Sequence, residues 1–235
     1  MILNSGLRWK DHIEHLKKKT ESLLLRLVPM CWSKGQLRLR EKVQLYRRVF
    51  LPMMTYAHEI WYEQVSAKST YMEIMIRLQR RVMVAITGAY RYANSRKILE
   101  IANEIPIEIE LRIMNETMSL SKDERSAARR EQREQWRSER ELYYETNADL
   151  EFEQLRRRQE IWCLTETGPF RTFLRKIGKE EEESCRLCDE APESAEHLLF
   201  RCEQAKTEFK LEADYNTTQF EKACANLIAY MSKLR

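Results

Sequence analysis

Residues 1–100 show a repeated helical spacing of apolar positions, interrupted by single prolines. Residues 8–28 predict one amphipathic helix, whose opposite face carries Lys17, Lys18 and Lys19. Because proline cannot continue helical hydrogen bonding, Pro29 predicts the end of this helix. Its apolar face consists of Ile13, Leu16, Leu23, Leu24 and Leu27.

A second helix is predicted to begin after Ser33, whose side chain suits the N-cap position, and to end at Pro52. Its apolar positions are Leu39, Val43, Tyr46 and Phe50, and its cations are Arg38, Arg40, Lys42, Arg47 and Arg48. Residues 53–64 predict a shorter helix or a turn. The core candidates of that segment are Tyr56, Ile60 and Trp61.

The clearest amphipathic pattern covers residues 69–87, where apolar residues recur with helical spacing. Gly88 follows and suits the left-handed position after the last turn. Ser95 predicts the cap of a further helix that runs to Ala102, before a turn at Pro106. The expected exposed cations of the 69–87 helix are Arg77, Arg80 and Arg81.

Residues 121–160 alternate in charge sign and have few apolar anchors. This pattern is typical of a solvent-exposed helix supported by ion pairs one turn apart, or of a linker. We therefore expect a boundary near residues 120–150. The predicted fold is mainly α, with a basic helical region at 1–120, a charged helix or linker at 121–160, a cysteine- and histidine-containing region at 161–210 and a C-terminal helix at 211–235.

Composition supports the helical prediction and adds a charge asymmetry. Only five Gly and five Pro occur in 235 residues, which disfavours a turn-rich β fold. Residues 1–100 contain 19 Lys or Arg and 8 Asp or Glu, whereas residues 101–235 contain 22 and 29, so the net charge of +4 divides into +11 and −7. The basic part indicates a polyanionic partner, nucleic acid or an acidic membrane surface, although a solvated basic face has the same pattern.

The start of the chain lacks the pattern of a secretory signal, and no apolar run approaches the roughly 18 residues of a membrane helix. We therefore expect an intracellular protein without membrane contact. In a reducing compartment, the six cysteines are expected to be metal ligands or core residues rather than disulfides.

One cysteine and histidine pattern points to a specific chemistry. The ligand candidates Cys185, Cys188, His197 and Cys202 have the spacing C-x2-C-x8-H-x4-C. Two cysteines on a tight turn can direct both sulfurs at one ion, and the later histidine and cysteine can complete a tetrahedron. Zn²⁺ favours such a closed site, which is structural because no position is left for a reactive water. The alternative is a set of unrelated core cysteines and a surface histidine.

Three thiolates on one dication leave a formal negative charge, which Arg186 and Arg201 are placed to offset. Phosphate contact is a second role that both arginines could have. Metal binding should help fold this segment, because it has few apolar residues of its own. The cysteines without such partners, which are interpreted as core residues or as incidental ones, are Cys31, Cys163 and Cys224.

Several short segments, taken in their order and spacing, resemble the C-terminal part of the polyprotein of non-LTR retrotransposons of the jockey-like and related arthropod clades. The earlier segments are LRWKDHI (7–13), LPMMTYA (51–57) with Trp61, LQRR (78–81), ITGAYR (86–91) and IP (105–106). The later segments are LT (164–165), GPF (168–170), FL (173–174), IG (177–178) and 185–202, which includes EHLLF (196–200). The resemblance covers most of residues 3–205.

This resemblance implies that the first helices form a thumb-like body of a reverse transcriptase and that the Cys/His motif is a CCHC zinc knuckle. Proteins of this family copy their RNA at a nicked chromosomal target, which implies RNA or DNA as partners, other retroelement protein segments as further partners, and a nuclear location. At Glu166 and Thr167 the sequence departs from a Gly-His pair that is common in the family. A role for that histidine therefore does not carry over, and a decayed copy would show such a change.

Polymerase chemistry requires paired aspartates that hold two Mg²⁺ ions about 4 Å apart. The sequence contains five aspartates, none of them adjacent, and no Tyr-x-Asp-Asp motif. We therefore expect no catalytic residue and no polymerase activity, with Met1 opening after the catalytic half of the family's polyprotein. The only other candidate pair, His12 and His15, is interpreted as a surface pair rather than a metal site.

The predicted function is nucleic-acid binding during target-primed reverse transcription. Basic helices would contact phosphates without sequence choice, Tyr90 and Tyr92 would stack on unpaired bases, and the zinc knuckle would bind single-stranded or structured RNA. Trp9 is interpreted as a core residue. The predicted nucleic-acid-binding residues are Lys17, Lys18, Lys19, Arg38, Arg40, Arg47, Arg48, Arg77, Arg80, Arg81, Tyr90, Arg91 and Arg96. The alternative is a zinc-stabilised helical module that binds a protein, from a domesticated or decayed element.

Overall fold

The computed structural model describes residues 9–32, 37–138, 154–155, 157–209 and 217–233. Within these ranges the chain is mainly helical and contains no β-strand, which confirms the predicted fold class. The first eight helices are α1 (Lys10–Cys31), α2 (Leu39–Leu45), α3 (Leu51–Thr55), α4 (His58–Ser66), α5 (Ser69–Thr87), α6 (Ser95–Ile101), α7 (Ile107–Glu116) and α8 (Lys122–Ser138). The later ones are α9 (Arg158–Leu164), α10 (Arg171–Lys176), α11 (Glu203–Phe209) and α12 (Thr217–Lys233), and π-helical turns span Tyr46–Phe50 and His197–Arg201.

These helices divide into two compact units. Unit 1 comprises Met1–Gly35, Glu41–Ile86 and Asn103–Tyr143. Unit 2 comprises Gln36–Arg40, Thr87–Ala102 and Tyr144–Arg235. No helix in the described part of either unit is both long enough and apolar enough to cross a bilayer.

The core of unit 1 forms where α1, α4, α5 and α7 bring their apolar faces together. Its buried residues are Trp9, Ile13, Leu16, Met54, Trp61, Val65, Met75, Leu78, Ile107 and Leu111. The burial of Trp9 agrees with its predicted core role. Gln79 also lies inside, where its Nε2 donates to Tyr46 Oη and Ile105 O at 2.8 Å each, and its Oε1 accepts from Ile107 N–H at 2.9 Å. These bonds offset the desolvation of the amide and join α5 to the start of α7.

Two predicted helix ends are wrong because a proline affects only part of one turn. α1 continues through Pro29, since proline removes only its own N–H, and the N–H of Trp32 bonds Pro29 O at 3.2 Å. The chain also stays helical past Pro52. In the π-helical turn before it, Leu51 N–H bonds Tyr46 O, so that Pro52 occupies the first turn of α3, where a missing N–H is tolerated. The predicted cap Ser33 lies outside the described residues.

Three predictions of burial or exposure near α4 are wrong. Tyr56 and Ile60 were expected in the core, but their exposed fractions are 64% and 56%. The left-handed turn at Ala57 (φ 55°) starts α4 so that its buried face carries Trp61 and leaves Ile60 outside. His12 was expected on the surface, but it is only 2% exposed and lies between two tryptophan rings.

The charged helix α8 belongs to unit 1 and bonds across to α7. Arg133 Nε donates to Glu110 Oε2 at 2.8 Å, and Arg129 Nε donates to Thr117 Oγ1 at 2.9 Å. The predicted pattern of pairs along a solvent-exposed helix is therefore accompanied by bonds to a neighbouring helix. Of the rest of the predicted charged segment, residues 139–153 and 156 lie outside the described residues.

Several other local predictions are confirmed. The 69–87 helix is followed by Gly88 with φ 74°, in the left-handed region. The next helix is present, but Asn94 rather than Ser95 caps it, because Asn94 Oδ1 accepts from Arg96 N–H at 2.8 Å. A helical pattern was predicted beyond residue 205, and α11 and α12 lie there. The cysteines interpreted as core or incidental residues are all buried, namely Cys31 in unit 1 and Cys163 and Cys224 in unit 2.

Candidate metal centre

The four predicted metal ligands come together in unit 2. Ligand atoms of Cys185, Cys188, His197 and Cys202 all lie within 4.8 Å of one another, and Cys188 Sγ is 3.3 Å from His197 Nε2. Bonds of about 2.0–2.3 Å in a tetrahedral zinc site separate the ligand atoms by about 3.3–3.8 Å. The cluster is close to these dimensions, so it could hold a metal ion and is compatible with zinc. We call residues 179–203 the zinc module.

A short loop folds the first two cysteines onto each other. Cys185 N–H bonds Ala191 O at 2.8 Å, which closes the loop with antiparallel pairing. Inside it, Asp189 N–H bonds Cys185 O at 2.9 Å, and Asp189 itself has φ 58°. This left-handed residue reverses the chain immediately after Cys188, so both sulfurs face the same point.

Backbone N–H groups are directed at the sulfurs of this loop. Those of Leu187 and Cys188 bond Cys185, although burial has the larger effect and raises the pKa of the Cys185 thiol to about 12. At Cys188 burial again acts to raise the pKa, but its effect is smaller than that of the bonds from Glu190 N–H, Ala191 N–H and the neighbouring thiols. The net result is a lowered pKa of Cys188. Such donors favour thiolates, which are the form that binds a metal.

The other two ligands lie at either end of a π-helical turn. Burial and the charge of Arg201 lower the pKa of His197, which favours the neutral ring that coordinates a metal. Cys202 N–H bonds His197 O at 2.8 Å, which brings the second ligand back towards the first. Cys202 Sγ in turn accepts from Ala205 N–H at 3.4 Å.

A buried ion pair fills the interior of the zinc module. Glu193 is fully buried, and Arg186 Nε donates to its Oε2 at 2.8 Å. The N–H groups of Arg171 and Arg186 bond the same carboxylate at 3.0 Å each, and Arg186 also donates to Pro169 O at 2.8 Å. The Arg186 guanidinium is therefore already bonded inside the module, and its contact with phosphate stays a prediction.

The zinc module is strongly acidic. It contains nine Asp or Glu and three Lys or Arg, which corresponds to a formal charge of −6 before any metal and thiolates are counted. Two of its three cations are paired, Arg186 with Glu193 and Arg201 with Glu196. Sequence reasoning missed Glu193, since nothing distinguishes it from the solvated glutamates around it.

Nine of the twelve predicted nucleic-acid-binding cations fall into two groups. In one group, no carboxylate of the described residues lies within ion-pair distance, and its members are Lys17, Lys18, Lys19, Arg40 and Arg48. In the other group the guanidinium is paired, and the pairs are Arg47–Glu104, Arg77–Glu73, Arg81–Glu21 and Arg96–Glu100. Arg38 and Arg80 are half-buried. Nucleic-acid contact by all of these residues stays a prediction.

The two aromatic candidates for base stacking, Tyr90 and Tyr92, differ in how far their rings are packed against other side chains. Tyr90 packs against Trp162 and Phe173, with ring centroids 4.7 and 5.7 Å apart. Tyr92 is 54% exposed, and the Arg91 guanidinium lies 4.6 Å from the centre of its ring. Tyr92 is therefore the more accessible ring for stacking, while Tyr90 contributes to the packing of unit 2.

Comparison with known proteins gives one similarity. No family model matches the chain, and no solved structure matches it. A curated relative from Nasonia vitripennis, described as a retrovirus-related Pol polyprotein from type-1 retrotransposable element R1 4, is 29% identical over 124 residues. Those residues are 52% of this chain and 30% of the relative, so the match spans less than a third of that polyprotein. The similarity supports a non-LTR retrotransposon origin, in agreement with the sequence resemblance.

Proposed function

We propose that this chain is a nucleic-acid-binding C-terminal part of a non-LTR retrotransposon reverse transcriptase, which contacts template RNA or target DNA during target-primed reverse transcription in the nucleus. The similarity to the Pol polyprotein is the observation that carries the proposal. We assign the chain no polymerase activity of its own, because its five aspartates include no adjacent pair that could hold two Mg²⁺ ions.

The charge distribution favours unit 1 as the part that meets phosphates. Lys17, Lys18 and Lys19 are consecutive on α1, so their side chains point in three directions about 100° apart around the helix. They pair with no carboxylate of the described residues, so phosphate binding would break no ion pair of theirs there. Such contacts release counterions from nucleic acid and provide affinity without sequence choice.

We assign the zinc module a structural role. Its four candidate ligands would close the coordination of Zn²⁺, which leaves no open position for catalysis. Its formal charge of −6 would repel a phosphate backbone, and its cations Arg186 and Arg201 are paired. Direct binding of RNA by the knuckle is therefore disfavoured, and the module would instead hold its part of unit 2 in shape.

A matched pair of triple variants tests the proposal. The first replaces Lys17, Lys18 and Lys19 with Gln, and the second replaces the paired Arg77, Arg81 and Arg96 with Gln, so both remove the same charge. Filter binding to RNA, single-stranded DNA and duplex DNA is measured across salt concentrations. The lysine variant should weaken binding more and reduce the log–log salt slope by about 2, since each phosphate contact contributes about 0.7–0.9.

Two outcomes would contradict the proposal. If the wild-type chain binds none of the nucleic acids, or binds with no dependence on salt, the electrostatic account of unit 1 is wrong. If both triple variants lose the same affinity, net charge rather than the α1 lysines determines binding.

A second candidate function is protein binding, and the acidity of the zinc module favours it. A surface of charge −6 is complementary to a basic polypeptide, and zinc-stabilised modules can present such a surface. A lysine-rich peptide titrated against the full chain would distinguish the two functions. Binding that disappears when Glu180, Glu181 and Glu182 become Gln, without any nucleic-acid binding by the wild type, would favour this second function.

A further inference from the structure

We propose that Glu166, which lies outside the zinc module, is a positioning residue for the metal site: its carboxylate holds the start of the helical segment that carries His197. The inference rests on the proposed zinc site and adds to it a residue that the Cys/His spacing does not indicate.

The backbone at Glu166 adopts a conformation that normally selects glycine. α9 ends at Leu164, after which Glu166 N–H bonds Cys163 O at 3.1 Å and Thr167 N–H bonds Trp162 O at 2.9 Å. These bonds form a Schellman motif, whose left-handed position is usually glycine because it has no Cβ. Glu166 occupies that position with φ 53°. A strained glutamate there indicates that its side chain makes a compensating interaction.

The carboxylate of Glu166 supplies that interaction. Its Oε2 accepts from Ala195 N–H at 2.9 Å, and its Oε1 accepts from Glu196 N–H at 3.0 Å. Ser194 Oγ accepts from the next N–H, that of His197, at 3.0 Å. The first three N–H groups of this helical segment, which have no partner within a helix, are therefore all bonded to side-chain oxygens.

These bonds fix the segment at the point where it presents its ligands. The helical segment covers residues 195–201 and includes the π-helical turn, so His197 is its third residue and Cys202 follows its last turn. A carboxylate that bridges two successive N–H groups restrains rotation of the segment about its own axis as well as its translation. Burial raises the pKa of Glu166, while its two N–H bonds and the charge of Lys97 of α6 act in the opposite direction and favour the ionised carboxylate. Loss of the carboxylate should therefore leave the four ligands in place but less well oriented.

The test uses the full chain loaded with zinc, and it compares Glu166→Gln with the wild type. Glutamine has nearly the same shape, but its amide offers one acceptor oxygen and directs an NH₂ group at the second N–H. Transfer of zinc to a coloured chelator should be about 10-fold faster in the variant, the size typical for groups that orient metal ligands. With Co²⁺ in place of Zn²⁺, the ligand-field absorption should change in shape, which reports the geometry of the ligands directly.

Glu166→Gly distinguishes the effect of the carboxylate on zinc release from the effect of the backbone strain. Glycine relieves the strain and removes the carboxylate, so the inference expects zinc release at least as fast as in Glu166→Gln despite a more relaxed backbone. Ala57→Gly is the matched control, because Ala57 has a similar φ of 55° but belongs to unit 1, whereas the zinc module belongs to unit 2. The control should release zinc at the wild-type rate.

The outcomes distinguish this inference from the zinc proposal itself. A wild-type chain without stoichiometric zinc would end both. A wild-type chain that binds one zinc, with unchanged release and cobalt spectra in both Glu166 variants, would overturn only the role of Glu166. Tighter zinc binding by Glu166→Gly would overturn it too, as would loss of hydrogen-exchange protection in α9 and α12, since Glu166 would then merely support the fold.

Discussion

Unit 1 and the zinc module are held together in opposite ways. The apolar core of unit 1 includes a cluster of ten buried residues, and the amide of Gln79 is buried with both its nitrogen and its oxygen hydrogen-bonded. The zinc module spans only 25 residues, and it buries an ion pair, Glu193 with Arg186, beside a few apolar side chains such as Leu198 and Leu199. The comparison teaches that a segment too short to bury enough apolar surface relies on a few polar bonds and a metal, so each of them matters more.

The largest expected effect comes from Cys188→Ser. A hydroxyl is a poor zinc ligand, and a metal contributes on the order of 10 kcal/mol to the folding of small zinc modules. We expect loss of stoichiometric zinc and loss of hydrogen-exchange protection across residues 179–203, with unit 1 unchanged. Elemental analysis and hydrogen exchange with mass spectrometry measure these results.

The control for that prediction is Cys31→Ser in unit 1. The Cys31 thiol is buried and donates to Leu27 O at 3.7 Å, a bond that a hydroxyl can also make. This variant should keep full zinc content. If Cys188→Ser also keeps its zinc, the ligand assignment is wrong.

The next effect compares two buried ion pairs. Glu193→Gln leaves Arg186 as a buried, unpaired charge and should destabilise the zinc module by about 3–5 kcal/mol. Glu110→Gln leaves Arg133, whose side chain is 32% exposed, so water can solvate it and the loss in unit 1 should be about 1–3 kcal/mol. Local opening free energies from hydrogen exchange measure both. A loss for Glu110→Gln equal to or greater than that for Glu193→Gln would contradict the comparison.

A smaller effect in unit 1 depends on pH. Burial lowers the pKa of His12, and neither ring nitrogen has a partner among the described residues. The unfolded chain therefore binds a proton more readily, so the stability of unit 1 is complete above pH 6.5 and falls as the pH drops from there towards the folded pKa. His12→Leu should raise stability by about 1 kcal/mol at pH 7 and remove part of this pH dependence. Urea unfolding at several pH values measures it, and an unchanged pH dependence in His12→Leu would disprove it.

The smallest effect is expected for an exposed ion pair of the same unit. Arg77 and Glu73 are one helical turn apart at 2.8 Å, with side chains 73% and 56% exposed. Arg77→Ala should change the free energy of unfolding by less than about 0.5 kcal/mol, because solvent screens such pairs. Thermal and urea unfolding against the wild type measure this change, and a loss above about 1 kcal/mol would show that surface pairs matter more in unit 1 than the comparison allows.

The features that could be predicted from the sequence depend on nearby residues. The helix at 69–87 was predicted because its apolar residues keep helical spacing along its whole length. The four metal ligands were predicted because they lie close together in the sequence, at a spacing that suits one metal ion. The features that could not be predicted depend on distant parts of the chain. Tyr56 and Ile60 have a core composition but face outwards, because a left-handed turn sets the rotation of α4.

Glutamates show the same limit in the zinc region. Glu193 and Glu180 look alike in the sequence, and only the arrival of Arg186 and two backbone N–H groups makes one of them a buried partner. The sequence also gives no sign that a departure from glycine at Glu166 would be compensated by a bond to residues 29 positions away.

The π-helical turn before α3 has a consequence for chain length. A π-helical turn takes up one residue more than an α-helical turn, while the helices on either side keep their faces towards the core. Removing Arg48, an exposed residue of that turn, would therefore leave the buried faces in register but place Pro52 inside a regular helix, where its ring would collide with the preceding turn. The extra residue of the π-helical turn and Pro52 thus depend on each other. The chain would tolerate the deletion of Arg48 only if Pro52 were replaced as well.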